Sequence, residues 1–233
     1  MKWTFGIITD GKNWDRVYDI LGSIQRQSVS VEHQIIICGG EEWWGRRTPS
    51  TLYIPFDETQ KEKGWITRKK NLIAQSAHHD NLCLMHDYVR LDPKWVEGFE
   101  KHGDDWLTCT NRIFNLDGSR FRDWCVIYND AWMEPPIDDT PPPTGAGRLL
   151  YYGTRGYERW QYYSGAYFCT KTQVMLDVPL DENRIWGQGE DVQWCRLLYK
   201  KYGAKAFDLN MESKVHLLKQ KERAPWEREM MPL

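Results

Sequence analysis

The sequence predicts an α/β fold: one domain built on a mostly parallel central sheet flanked by helices. Three observations carry this. Short runs of apolar residues alternate with segments of helical period, the runs lack the polar-apolar alternation of a half-exposed sheet, and turn residues close most of them. A chain of 233 residues is long enough for one large domain of this kind.

The elements follow in order. Trp3 to Thr9 is an apolar run ending at the turn pair Asp10-Gly11, after which Val17, Ile20, Leu21 and Ile24 mark one face of an amphipathic helix. Gln34 to Cys38 reads as a second buried strand closed by Gly39-Gly40-Glu41, and Thr51 to Ile54 as a shorter third. A helix with Ile66, Ile73 and Ala77 on one face leads to a fourth strand, Leu82 to Met85. Asp92-Pro93 then caps a short helix with Trp95, Val96 and Phe99 inward, and Trp106 to Thr110 reads as another strand. From Asn129 to Gly156 prolines and glycines erase the period, so this segment is expected to be a mobile loop over the substrate. Order is expected to resume at Ser164 to Cys169. A last helix carries Val192, Cys195, Tyr199 and Tyr202 until Gly203 stops it. The residues after Lys219 read as a charged, poorly packed tail.

Composition narrows the function. There are 31 basic and 33 acidic side chains, which argues against a nucleic-acid partner, since duplex binding needs a concentrated basic face. No apolar run reaches the roughly 18 residues of a membrane span, and Met1-Lys2-Trp3-Thr4 opens no signal sequence, so a cytoplasmic protein is expected. The six cysteines form no Cys-x-x-Cys pair and are expected to be reduced and buried. Thirteen Trp and twelve Tyr suit a site that stacks on sugars or bases, although most such rings fill cores.

In an open parallel sheet ligands gather at the carboxyl ends of the strands. Asp10, Gly39-Gly40 and His86-Asp87-Tyr88 occupy those ends. Asp87, following four apolar residues, is placed for a metal or phosphate. Arg68, Lys69, Lys70 and Asn71 open a helix whose N-terminal amides already attract anions, so they could hold a diphosphate. The densest cluster is Trp186-Gly187-Gln188-Gly189-Glu190-Asp191, in which two acids begin a helix. His216 follows about twenty-five residues on.

This order of features resembles the GT-A glycosyltransferases, family 2-like with a galactosyltransferase-like Trp-Gly-x-Gly-Glu-Asp motif, from about Trp3 to His216. The resemblance implies a single Rossmann-like GT-A domain over 1–219, its nucleotide-sugar half at 1–110 and its acceptor half at 111–219, with 220–233 as the tail. It implies transfer of a sugar from a nucleoside-diphosphate sugar, UDP first among them, to a hydroxyl of a carbohydrate or glycoconjugate. Asp10, Arg68, Lys69, Lys70, Asn71 and His86 would meet the nucleotide, and Asp87 with His216 would hold Mn²⁺ or Mg²⁺. Asp191 would be the base of an inverting transfer with Glu190 orienting the acceptor beside Trp186, Gly187, Trp160 and Tyr163. The sequence departs from the Asp-x-Asp metal motif at one point, where Tyr88 stands in place of a second carboxylate. A nucleotidyltransferase is a weaker alternative, because residues 6 to 16 contain only Gly6 and Gly11 where that class has a glycine-rich loop. A sugar-nucleotide-binding protein without catalysis is the other.

Overall fold

A computed structural model describes residues 1–40, 51–60, 64–127, 147–222 and 228–229. The first strand, β1 (Trp3–Ile8), is buried along its whole length and lies at the centre of a parallel set. It pairs on one side with β2 (His33–Cys38), which carries β3 (Thr51–Ile54), and on the other with β4 (Asn81–His86). Alternation along β1 sorts its side chains to two cores. Trp3, Phe5 and Ile7 pack with Val17 and Ile20 of helix α1 (Trp14–Gln25), while Ile8 packs with Ile73 of α2 (Ile66–Gln75). Both faces of the sheet are therefore covered, which is why its strands carry no polar period.

Beyond β4 the sheet is mixed rather than parallel. The full order is β3-β2-β1-β4-β10-β6-β11-β5, completed by β5 (Val89–Leu91), β6 (Thr108–Phe114), β10 (Tyr167–Lys171) and β11 (Phe207–Leu217). Strand β10 runs antiparallel to both β4 and β6, β11 is parallel to β6, and β5 is antiparallel to β11. A buried strand is apolar on both faces whichever way it runs, so the sequence pattern does not report this reversal.

Helix α3 (Trp95–His102) covers the β1 face, where Trp95 meets Trp3 edge-on at 4.7 Å and donates its indole N–H to the Tyr167 hydroxyl at 2.8 Å. Helices α4 (Thr172–Asp177) and α5 (Glu190–Tyr202) lie on the opposite core, through Met175, Trp194 and Cys195. A second sheet, in the order β12-β8-β7-β9, is made of β7 (Cys125–Ile127), β8 (Gly147–Leu149), β9 (Gln161–Tyr162) and β12 (Arg228–Glu229). Cys125, Ile127, Leu149 and Tyr162 pack on Val192, so this sheet sits against the first turn of α5. Most of the expected loop, residues 129–146, lies outside the described residues, as does Glu41. The end of that loop is not loose, because it contains β8 and buries Leu149 and Leu150. All six cysteines are buried and unbridged, and among the described residues no helix is long and apolar enough to cross a membrane.

The approach of α2 to β1 carries Lys69 and Lys70 to the strand ends, and Gly6 permits it. A Cβ at Gly6 would lie 2.4 Å from Ile73 Cγ2. Gly6→Ala is expected to cost about 1–3 kcal/mol by overpacking, read as a lower denaturation midpoint in urea. An unchanged midpoint would show that α2 has room to move away.

Candidate active site

Ile8 and His86 are paired in register, so the chain leaves β1 and β4 at the same level. Asp87 donates its backbone N–H to the Ile8 carbonyl at 3.0 Å, and its Oδ2 accepts the Thr9 hydroxyl at 2.8 Å. These two bonds aim the carboxylate into a cleft. Burial raises the Asp87 carboxyl above its ordinary range, opposed by the Thr9 bond, while neighbouring Asp10 adds to the rise. Asp10 is exposed, and its carboxylate turns back to accept the Lys12 N–H at 3.0 Å.

The four expected nucleotide residues of α2 do structural work instead. Arg68 grips both oxygens of Glu182 at 3.0 and 3.1 Å, and Asn71 donates to Glu182 and to the Leu180 carbonyl, both at 2.9 Å. Lys69 lines the cleft but is paired with Glu58 and donates to the Thr9 carbonyl at 2.7 Å. Lys70 is buried, its Nζ donating to the Gly165 carbonyl at 2.6 Å, and burial lowers its pKa against the pull of Glu190 and Asp191. Ile66, Lys70 and Ile73 fall at i, i+4 and i+7, so the helical period alone puts Lys70 on the buried face.

The acidic cluster meets the same point. Gly189, in the left-handed region at φ 67°, ends the loop before α5. Asp191 Oδ2 accepts the Gly165 N–H at 2.7 Å and Oδ1 accepts the Val192 N–H at 2.9 Å. Gly165 has to lack a side chain, because a Cβ there would lie 2.8 Å from Asp191 Oδ2 and 3.3 Å from both Glu190 Oε1 and Lys70 Nζ. Burial, reinforced by Asp191 and opposed by Lys70, pushes the Glu190 carboxyl up to about 8. His86 is held neutral, its pKa driven well down by burial and then by Lys70 and the lysines around it.

The cleft has two chambers that share His86, Tyr88, Trp186 and Lys221 as walls. One contains Asp10, Arg16, Lys69, Asp87 and Lys219; the other contains Arg122, Tyr162, Gly165, Gly187, Glu190 and Asp191. Trp186 is half-exposed on a loop stapled to α2, where Trp65 donates to the Glu182 carbonyl at 2.7 Å and Thr67 to the Arg184 carbonyl at 2.8 Å.

Three expected residues are elsewhere. Tyr163 is buried, its hydroxyl bonded at 2.8 Å to both the carbonyl and the N–H of Asp208, and Trp160 lies buried 4.6 Å beneath the Arg196 guanidinium. His216 bonds Asp92 at 3.2 Å and lines a separate cavity with Arg90, because alternation along β11 turns it away from the buried Val215 and Leu217. Tyr88 lines both chambers at the strand end where the sequence put it, and Lys219, Lys221, Arg16 and Arg122 are cleft residues that sequence reasoning missed. Lys219 and Lys221 lie just past β11, and both carry their ammonium groups over the Tyr88 ring.

A Mg²⁺ or Mn²⁺ takes about six oxygens, one or two from protein carboxylates and the rest from substrate phosphates and water, and at the strand ends Asp87 is the residue placed to supply one. Asp87 has one oxygen engaged by Thr9, Asp10 is turned to Lys12, and Lys219 occupies the same chamber as Asp87. Among the described residues, three metal-ligand atoms within 4.8 Å of one another occur at His102, Cys109 and Asp208, away from the cleft.

No protein-family model matches this sequence, and no curated protein matches it. Solved structures do. S. aureus TarS residues 1-349 is 10% identical at a TM-score of 0.54, over 94% of this chain and 59% of that one; its complex with UDP-GlcNAc gives 11% and 0.57, over 96% and 60%. GalNAc-T7 with UDP, GalNAc and Mn²⁺ gives 12% and 0.58, over 95% and 44%. This is the GT-A fold. The chain spans about half the length of these GT-A structures, and the likeness is one of fold.

The GT-A cleft buries Glu190 against Asp191, Lys70 and Arg184, and this makes stability depend on pH. The folded chain holds the Glu190 proton more tightly than the unfolded chain does. The stability that this proton gives is full below the ordinary value of 4.5 and is lost as pH rises through about 8. The denaturation midpoint of the parent relative to Glu190→Gln is expected to fall steadily between those limits. A constant difference would mean that Glu190 is ionised throughout.

Proposed function

We propose that this chain is a glycosyltransferase that moves a sugar from a nucleoside-diphosphate sugar to a hydroxyl of a carbohydrate or glycoconjugate acceptor, with inversion. The observation that carries this is Asp191: a carboxylate fixed by two N–H bonds on the wall of one chamber, which opens into a second chamber at the strand ends. The GT-A fold supports the reading, and the complexes of TarS with UDP-GlcNAc and of GalNAc-T7 with UDP make UDP the first nucleotide to test.

The strand-end chamber takes the nucleotide. Asp10 and Asp87 accept hydrogen bonds from ribose or base. The acceptor enters beside Trp186 and Gly187 in the other chamber, with its hydroxyl against Asp191. Each carboxylate oxygen can accept a second bond, so Asp191 keeps a lone pair for that hydroxyl while its N–H bonds hold it still. In the reaction the anomeric carbon-oxygen bond to the diphosphate breaks and its electron pair leaves with the nucleotide. The acceptor oxygen attacks from the opposite side, and its proton passes to Asp191. Glu190, protonated by burial, donates to the acceptor and orients it. His86, kept neutral, leaves the wall between the chambers uncharged.

Asp191→Asn keeps the shape and removes the base, and its single amide oxygen can accept one of the two N–H bonds. Turnover, followed as nucleotide release with a panel of sugar acceptors, is expected to fall by about 10²–10⁴-fold with donor binding unchanged. Near-normal transfer would remove Asp191 from the mechanism. Loss in Glu190→Gln alone would move the base to Glu190.

A further inference from the structure

Two ammonium groups lining the strand-end chamber form no ion pair among the described residues, although Asp87 and Asp10 attract Lys219 from across it. Lys219 and Lys221 are half-buried on the Tyr88 ring, with Nζ 3.6 and 5.0 Å from its centre, and among the described residues neither ammonium makes a hydrogen bond or ion pair. Arg16 of α1 lines the same chamber and likewise has no side-chain partner there. The contrast with Lys69, clamped by Glu58, is plain.

This is a built arrangement. Leu218 donates its N–H to the Tyr88 carbonyl at 2.7 Å, Gln220 donates to Asp117 at 2.9 Å, and the Lys221 N–H donates to Asn115 at 3.0 Å. The segment expected to be a loose tail is thus fastened at three successive points over residues 218 to 221. Holding two lysines together against their own repulsion has a cost, visible in Lys221, whose pKa is pushed down to about 8 by burial and then by Lys219 and Arg122. Fixed cations of this kind repay that cost when an anion arrives, because no reorganisation is then needed. The anion has to reach both chambers: Lys219 lines the strand-end chamber, and Lys221 lines the boundary at which the sugar-phosphate bond would lie.

We propose that Lys219 and Lys221 bind the diphosphate of the sugar nucleotide and neutralise the departing nucleoside diphosphate, in the role that a divalent cation would otherwise fill. This rests on the donor reading above. The charge balance is simple: the leaving diphosphate gains one negative charge as the bond breaks, and Lys221 lines both chambers where it would appear.

The test is calorimetric titration of the full chain with UDP, GDP, ADP, CDP and dTDP, first in EDTA and then with Mn²⁺, using the matching nucleosides as controls. One diphosphate is expected to bind equally well in both buffers and far better than its nucleoside. Lys219→Ala and Lys221→Ala should each weaken it by about ten- to a hundredfold, the worth of a charged hydrogen bond, without changing nucleoside binding. Lys219→Arg should restore most of the loss. Binding that appears only with Mn²⁺, or that ignores both substitutions, overturns the cationic site and leaves the donor reading standing. If no diphosphate binds in either buffer, the donor reading itself fails and the site falls with it.

Discussion

One glycine holds the cleft together. The carbonyl of Gly165 takes the ammonium of Lys70, and its N–H goes to the carboxylate of Asp191. Three separate pieces of chain meet there: α2, the turn before β10, and the first turn of α5. A buried lysine is expensive unless its charge is answered, and here the Gly165 carbonyl accepts its N–H, with the Asp191 carboxylate close by. The position of the acidic pair is therefore set by a residue more than a hundred positions earlier. The same charge helps to keep His86 neutral, so one lysine governs both walls of the acceptor chamber.

The two chambers differ in character on either side of Tyr88 and His86. One holds Asp191, fixed by backbone N–H groups, beside Glu190, and the other sets Arg16 and Lys219, which form no ion pair among the described residues, beside Asp10 and Asp87. A group transfer that releases a proton and an anion in the same step suits this division, because the two products of charge separation are received on different sides. Tyr88 is the hinge of the arrangement. It replaces a carboxylate of the metal motif that the sequence resembles, and its ring is the surface on which the lysines rest.

Much of this was legible before the structure. The apolar runs give β1, β2 and β4, the strand ends give Asp10 and Asp87, and the Trp186 to Asp191 cluster falls at the head of α5 as read. What was not legible has physical causes. Strand direction leaves no mark on a strand buried on both faces, so the reversal at β10 was missed. Arg68 to Asn71 read as a basic helix start facing a ligand, yet the i, i+4, i+7 relation of Ile66, Lys70 and Ile73 already pointed Lys70 inward. His216 lies one residue out of phase with Val215 and Leu217, and that parity sends it to Asp92. Trp160 and Tyr163 are rings that fill core, as most do. The lysines at 219 and 221 look like any solvated tail, because what fastens them, at Tyr88, Asn115 and Asp117, is more than a hundred residues distant.

That last attachment has a meaning for how the molecule comes into being. The parallel strands and the acids at their ends belong to the first ninety or so residues, and the chain can lay them down early. The lysines belong to the final stretch of β11 and just past it, and they reach the cleft only after β11 has paired with β6 and β5. Contacts of such long sequence separation form late, since the loop entropy must be met before they reward it. A chain emerging during synthesis therefore holds Asp10 and Asp87 with Arg16 and Lys69 before Lys219 and Lys221 exist, and the pocket acquires these two cations last.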